Sequence, residues 1–303
     1  MPADIPYRRD FSFEYGKLEP VAPGVRRIVA RNPGPFTFRG TGTYVVGEGE
    51  VAVIDPGPDL PEHVDALLAS LAGETITHIL VTHTHNDHSP AAKSVKEATG
   101  APTYGFGPHA GGREPSAEEG GDWNFTPDIV IGDGDEIRGN KWRFEAVHTP
   151  GHTSNHICFA LPDSGILFSG DHVMGWSTSV IAPPDGDMAA YMTSLDKLLP
   201  RPDKVYWPTH GPAITEPQRH VRAFIAHRRE REAGVIDCLK AGLERIDGMV
   251  ERLYVGLDPK LRGAAGRSLM AHLVDLIGRD IVACDGPPTV VAHYRLRHLP
   301  ASR

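Results

Sequence analysis

The chain has 303 residues, a formal net charge of −8, 40% hydrophobic and 7% aromatic residues. That length supports a large core and two domains, and the acidic balance argues against whole-protein attraction to nucleic acid or to an anionic membrane surface. No run of about 18 apolar residues occurs, so no membrane span is expected, and three scattered cysteines, Cys158, Cys238 and Cys284, lack Cys-x-x-Cys spacing and suit a reducing cytoplasm better than a disulfide framework.

Residues 1–24 are punctuated by Pro and Gly and read as a surface wrap. Met1–Asp10 is charged and lacks the apolar centre of a secretory leader. Val25–Ala30, Gly42–Val46 and Val51–Ile54 read as strands, with Gly47-Glu48-Gly49-Glu50 turning between the last two and Asn32-Pro33-Gly34-Pro35-Phe36 as a rigid loop beside them. Asp55-Pro56-Gly57-Pro58 ends the third strand. Val64, Leu67, Leu68 and Leu71 recur at helical spacing and place a helix over 61–71. Ile76–Val81 is the next strand, Pro90–Ala98 a helix and Pro102–Tyr104 a strand. Between Val81 and Ser89 lies Thr82-His83-Thr84-His85-Asn86-Asp87-His88. Ser89 as N-cap and Pro90 at the first helical position put this run on a strand-to-helix turn, where several side chains can point into one cavity. Neutral imidazole suits zinc and other borderline cations, and a carboxylate adds charge.

Residues 105–128 mix Gly, Pro and acids and read as a loop insertion placed as a lid near the cleft. His109 within it reads as solvated, and Trp123 and Phe125 as anchors of the loop's return. Ile129–Ile131, Glu136–Arg138 and Trp142–Val147 are strand-like. His148-Thr149-Pro150-Gly151-His152-Thr153-Ser154-Asn155-His156 follows. His148 reads as structural, while Asn155 and His156 are candidates to line the cleft and meet substrate. Ile157–Leu161 is a strand in which Cys158 is a small core residue, and Ile166–Ser169 another, ending in Gly170-Asp171. Met188–Leu199 reads as a helix and Lys204–Trp207 as a strand running into Pro208-Thr209-His210-Gly211-Pro212. From Pro217, with Thr215 as a candidate cap, a polar helix of alternating charge extends through His220–Arg231, and its apolar stripe continues in Ile236, Leu239, Leu243 and Ile246. Gly263–Ile277 is amphipathic. Ile281–Cys284 and Thr289–Tyr294 flank Asp285-Gly286-Pro287-Pro288 as a hairpin. Residues 217–303 carry 15 Lys and Arg against 10 Asp and Glu, whereas residues 1–216 carry 16 against 29. The change of sign marks a boundary between a first domain, 1–216, which carries the histidine clusters, and a helical, winged-helix-like domain, 217–303.

The His-x-His-x-Asp-His run, Thr149-Pro150-Gly151-His152-Thr153, Asp171 at a strand end and Thr209-His210-Gly211 together resemble the metallo-β-lactamase superfamily. The resemblance implies an α/β fold, an αββα sandwich of two packed mixed sheets flanked by helices, and a site for two divalent metal ions, zinc with iron or manganese as alternatives. Carried over residue by residue, it assigns His83, His85 and His152 to one metal, and Asp87, His88 and His210 to the other. Asp171 bridges the two, and Asp55 stands behind the metal histidines. It further implies a hydrolase whose nucleophile is a hydroxide held between the two metals, oriented by Asp87, which takes its proton. Asn32–Val46, His227-Arg228-Arg229-Glu230 and Ala271-His272-Leu273 extend the resemblance over nearly the whole chain and narrow it to the beta-lactamase-like protein 2 branch. One departure is Ser89-Pro90-Ala91, where many members have Gly-Gly; it alters the expected helix start.

Hydrolysis is the expected reaction, since no Ser-His-Asp set is needed and no phosphate-cradling Gly-x-x-x-x-Gly-Lys loop occurs. The expected partner is a small-molecule acyl substrate, a thioester or ester, or else a phosphodiester. The branch implies single-stranded RNA as an alternative, with Arg228, Arg229, Arg231, Arg262 and Arg267 guiding the polyanion. Two further alternatives are a mononuclear iron oxidoreductase related to persulfide dioxygenases and a non-enzymatic winged-helix binding protein, which would leave the full ligand set unexplained. No membrane partner is expected, and the expected location is cytoplasmic.

Overall fold

The structure, a computed structural model, describes residues 4–110 and 120–297. Seven strands form the first sheet in chain order: β1 (Glu19–Ala22), β2 (Val25–Val29), β3 (Gly42–Glu48), β4 (Glu50–Ile54), β5 (Thr75–Leu80), β6 (Thr103–Gly105) and β7 (Ile129–Val130). Strands β1 to β4 pair antiparallel through short turns. From β4 to β7 the pairing is parallel, and helices α1 (Pro61–Ser70) and α2 (Ala91–Thr99) carry the chain from β4 to β5 and from β5 to β6, as parallel neighbours require. The second sheet holds β8 (Glu136–Arg138), β9 (Arg143–His148), β10 (Ile157–Leu161), β11 (Ile166–Gly170) and β12 (Val205–Pro208), in the order β12-β11-β10-β9-β8. Only β11 and β12 are parallel there, joined through α3 (Met188–Leu198).

Side-chain alternation sorts these strands into layers. Tyr44, Val46, Ala52 and Ile54 face inward and meet Phe144, Ile157, Phe159 and Phe168 of the second sheet. Val45, Val51 and Val53 point the other way, onto Leu67 of α1 and Val95 of α2. Cys158, Ala160 and Leu167 face outward beneath Tyr191, Leu195 and Leu198 of α3. The result is a four-layer αββα sandwich. Cys158 is fully buried in it, as a small core side chain.

Three helices and a strand pair follow: α4 (Pro217–Lys240), α5 (Ile246–Leu253), α6 (Arg262–Gly278), β13 (Val282–Cys284) and β14 (Tyr294–Leu296). The first half of α4 buries Val221, Phe224 and Ile225 in the same core as α3. Its second half buries Val235, Cys238 and Leu239 in a separate core with Met249, Leu269, Leu273 and Tyr294.

Several local expectations are corrected. Ser89 does not cap α2, because its hydroxyl donates to Asp122 Oδ2 at 2.8 Å; Pro90 is the N-cap, with helical φ and ψ and no side-chain cap. Helix α4 likewise starts at Glu216 without a side-chain cap, so Thr215 plays no such part, and it runs unbroken to Lys240. Strand β1 and helix α5 were not expected. The last connection spans 285–293, and the second strand begins at Tyr294, paired with Cys284, rather than at Thr289. The middle of the 105–128 insertion lies outside the described residues.

Candidate metal centre

Five loops leave the same edge of the sandwich, after β4, β5, β9, β11 and β12, and each brings one part of the site. The loop after β4 supplies Asp55, which is buried and has φ of 47°. Aspartate tolerates that left-handed conformation better than most residues. Its carboxylate is the hub. Thr82 N donates to Oδ1 at 2.7 Å, while Thr82 Oγ1 and Thr209 Oγ1 donate to Oδ2 at 2.7 and 3.0 Å. His88 Nδ1 reaches Oδ2 at 3.0 Å.

The loop after β9 turns on Gly151, with φ of 137°; a Cβ there would lie 2.3 Å from the Tyr191 Cα. Only glycine lets α3 come this close, and the next residue, His152, is thereby turned inward. Gly170, at φ 50°, does the same after β11: a Cβ would sit 2.5 Å from His156 Nε2. Asp171 follows.

These loops bring all seven expected donors together. His83, His85 and His152 offer nitrogen atoms within 4.8 Å of one another, and so do the donors of His83, His88 and Asp171 and those of Asp87, His88 and His210. The distances from His210 Nε2 are 3.1 Å to Asp87 Oδ2 and 3.3 Å to Asp171 Oδ2. From His88 Nε2 they are 3.4 and 3.6 Å to the same two oxygens. Thr41 Oγ1 donates to Asp87 Oδ2 at 3.3 Å.

His83, His88, His152 and His210 are each oriented through the other nitrogen, the arrangement that second-layer partners give metal ligands. His152 Nδ1 lies 2.6 Å from the Val180 carbonyl and His210 Nδ1 3.3 Å from the Gly40 carbonyl. A carbonyl only accepts, so both rings carry their proton on Nδ1 and, when neutral, aim an Nε2 lone pair at the cluster. His83 Nδ1 reaches Thr82 Oγ1 at 3.1 Å, and that hydroxyl already donates to Asp55, so it accepts from His83. The Nε2 lone pairs of His83 and His152 then converge on His85 Nδ1 at 3.0 and 3.1 Å. His85 can supply one proton to two acceptors. His88 Nε2 and Asp171 Oδ1 are buried without a hydrogen-bond partner among the described residues. Converging lone pairs and orphaned buried acceptors fit a cation at the centre, and an imidazole and carboxylate donor set without thiolate suits a borderline divalent ion.

The electrostatics divide the cluster. Burial and neighbouring imidazoles hold His83 and His85 well below the ordinary imidazole range. Burial also disfavours charge on His88 and His210, but the carboxylates outweigh it: Asp87, Asp171 and Asp55 hold His88 well above its ordinary value, and Asp171 with Asp87 raises His210 to about 10. Burial alone would raise Asp87 and Asp171, yet His88 and His210 bring both well below the usual carboxylate range. Buried carboxylates need a positive partner, and a cation bound at the cluster would supply it.

Of the seven, only Asp87 and His85 are partly exposed, with 20% of the Asp87 side chain accessible. Among the described residues, the cluster reaches the surface at the His85–Asp87 turn. Asn155 and His156 do not line it. His156 is fully buried, with Thr149 Oγ1 at 2.9 Å from Nδ1 and the Asp171 backbone N–H donating to Nε2 at 3.2 Å. The Asn155 amide donates to Thr84 Oγ1, Gly107 O and Pro108 O at 2.8, 3.1 and 3.3 Å. Both are internal braces, His156 for the Asp171 turn and Asn155 for the base of the insertion. His109 is not a solvated loop residue either. Its Nδ1 lies 2.9 Å from Thr84 Oγ1, and its ring stands edge-on to Trp123 with centroids 4.4 Å apart. Phe125 is buried as expected. His148 stacks on Phe106 at 3.7 Å. The threonines were missed at the sequence level, although a signal existed: Thr82, Thr84 and Thr209 each precede a clustered histidine.

Comparison with known proteins agrees with this architecture. The Metallo-beta-lactamase superfamily profile matches residues 37–210. The chain is similar to the Beta-lactamase-like protein 2 homolog of Caenorhabditis elegans, at 32% identity over 74% of this chain and 73% of that one. It is similar to the Atrochrysone carboxyl ACP thioesterase AgnL7 of Paecilomyces divaricatus, at 33% identity over 76% of this chain and 67% of that one. Among solved structures, a beta-lactamase domain protein from Burkholderia ambifaria shares the fold with a TM-score of 0.78 at 20% identity, covering 97% of each chain. With its sandwich, its strand-end loops and its His/Asp groups able to hold a metal, the chain belongs to the metallo-beta-lactamase superfamily and is a hydrolase.

Proposed function

We propose that the protein hydrolyses an acyl thioester at a site for two divalent metal ions, zinc in the first instance and iron or manganese as alternatives. The observation that carries the reading is the pair of donor groups, His83/His85/His152 and Asp87/His88/His210, which meet at Asp171. His83, His85 and His152 would hold one cation, Asp87, His88 and His210 the other, and Asp171 would touch both. Such a pair of cations, when bound, lowers the pKa of water from about 16 to about 7 and polarises the attacked carbonyl. Asp87 is the one ligand carboxylate with access to solvent, so it orients the attacking water and accepts its proton. Asp55, through His88, Thr82 and Thr209, keeps three of these loops in register. A single-iron oxidoreductase would leave the Asp87/His88/His210 group without a role.

The thioester is favoured over RNA by the fate of the arginines. Arg228 is buried on the Ser179 carbonyl, and Arg231 donates to the Leu253 carbonyl at 2.8 Å over the Tyr254 ring. Two of the five arginines expected to meet a polyanion are thus committed to contacts within the protein. The thioesterase relative supports the same choice. The three helices and strand pair of 217–303 are read as a winged-helix-like region that borders the site. No helix among the described residues is long and apolar enough to cross a membrane, in keeping with a cytoplasmic location as part of this proposal. The test is metal analysis joined to a substrate panel. Purified protein is expected to carry two metal ions per chain and to turn over acyl-pantetheine thioesters. Cleavage of single-stranded RNA or of a phosphodiester, with no thioester turnover, would overturn the substrate assignment.

A further inference from the structure

Helix α4 carries a cation in an unusual place. Arg228 is 3% exposed, its Nε has no hydrogen-bond partner, and among the described residues it forms no ion pair. Burying an unpaired charge is costly, so the contacts it does make are informative. Nη2 donates to the Ser179 carbonyl, Nη1 to Ser268 Oγ on α6 at 3.4 Å, and the group lies over the Tyr191 ring of α3, 5.3 Å from its centroid. Ser179 belongs to the loop that follows Asp171. Its hydroxyl lies 2.6 Å from the Asp171 carbonyl and 2.7 Å from that of His172. The next carbonyl, Val180 O, accepts from His152 Nδ1 at 2.6 Å. The carbonyl held by a buried arginine of α4 is thus one residue along the backbone from the carbonyl that orients a candidate metal ligand.

We propose that Arg228 is a positioning residue of the metal centre. It fixes the Ser179–Val180 segment, and through the Val180 carbonyl it sets the rotation of the His152 ring. His88, His83 and His210 are oriented by Asp55, Thr82 and the Gly40 carbonyl, none of which Arg228 touches. Its link to a ligand's ring nitrogen therefore runs through His152, while the Ser179 hydroxyl meets Asp171 only at its backbone carbonyl. Arginine suits the task because a planar fork can serve Ser179 and Ser268 together while its face rests on Tyr191, which an ammonium group cannot do. The C-terminal region then contributes to the site without contacting metal or substrate.

The inference rests on the assignment of His152 as a metal ligand, and the test separates the two. Zinc alone is titrated into metal-free protein against a competing chelator. Arg228→Gln is expected to weaken zinc binding about 10–100-fold, the usual cost of losing an outer-layer partner, with Arg228→Lys between it and the wild type. In a His152→Ala background the same Arg228→Gln change is expected to cost nothing further, since the group it acts through is gone. A merely structural role would cost the same in both backgrounds. Should Arg228→Gln fail to fold, Arg228→Lys is carried through the same cycle. Wild-type affinity in the variant, or an undiminished loss in the His152→Ala background, would overturn the inference alone. Absence of zinc binding by the wild type would overturn the ligand assignment and the inference together.

Discussion

Asp87 and Asp55 are both carboxylates beside His88, and burial gives them different work. Asp87 is partly exposed and faces His88 and His210, and the proposed reaction gives it the proton transfer. Asp87→Ala is expected to lose turnover by about 10²–10⁴-fold, the range for a general acid–base group, with the thermal melt of the folded protein retained. Full turnover in a folded, metal-loaded variant would sink the role given to Asp87. Asp55 is buried and accepts four hydrogen bonds. Removing it leaves those donors unpaired and frees His88 to rotate. Asp55→Ala should weaken metal binding by about 10–100-fold, whereas Asp55→Asn, which tolerates the same positive φ, should retain more fold stability than Ala. Equal melting temperatures for the two variants would show that the backbone conformation contributes nothing. His83, His85 and His88 were legible because their spacing is local, whereas His152, Asp171 and His210 were assigned through the family resemblance. The orienting partners were not legible, because Val180 and Gly40 act through backbone carbonyls, whose use no side-chain pattern reveals.

At the scale of elements, the strands that carry the site were legible where one face is buried on each side of the sheet. Gly42–Val46, Val51–Ile54 and Ile157–Leu161 were expected as strands and lie within β3, β4 and β10. Strand β1 was missed because Glu19-Pro20-Val21-Ala22 has no alternation and holds a proline, which a sheet accepts only at an edge. Helix α5 was missed because it has eight residues, contains Gly248 and starts at Arg245 without a side-chain cap. Thr289–Tyr294 reads as a strand from its β-branched residues, yet Val290 and Val291 are 46% and 65% exposed, and only pairing with β13 decides where β14 begins. The short β6 is held by a device of its own. Asp128 Oδ2 accepts from the Thr103 backbone and hydroxyl, each at 2.9 Å, and Oδ1 from Lys96 of α2. The Lys96 contact, with the Thr103 bonds, lowers Asp128 from 3.8 to about 2. The folded value lies below the unfolded one, so this contribution to stability is complete above about pH 4 and lost as pH falls towards 2. Amide exchange at Thr103–Gly105 should accelerate over that window relative to the rest of the first sheet. Asp128→Asn should show fast exchange already at neutral pH and no such acid step; slow exchange in the variant would remove Asp128 from this account.

At the scale of the molecule, the charge boundary near residue 216 and the packing boundary do not coincide. The charge changes sign there, but α4 crosses the line with its first half in the sandwich core and its second half in the C-terminal core. Composition reports which residues meet water, whereas packing depends on which face of a continuous helix meets which neighbour. Ending the chain at 216 would uncover the surface of α3 against which Val221, Phe224 and Ile225 are buried. Each such side chain is worth about 1.5–3 kcal/mol, so three of them approach the whole stability of a domain, about 5–15 kcal/mol. It would also remove Arg228 from Ser179. Residues 1–216 alone are therefore expected to show no cooperative thermal transition, to bind a hydrophobic dye, and to hold zinc weakly if at all. A fragment extended to Lys240 recovers the sandwich contacts and Arg228 but exposes Val235, Cys238 and Leu239, so it should regain zinc binding before it regains solubility. Cooperative melting of residues 1–216 with zinc affinity equal to that of the full chain would place the seam at 216 after all. It would also leave the C-terminal region without a part in the metal centre.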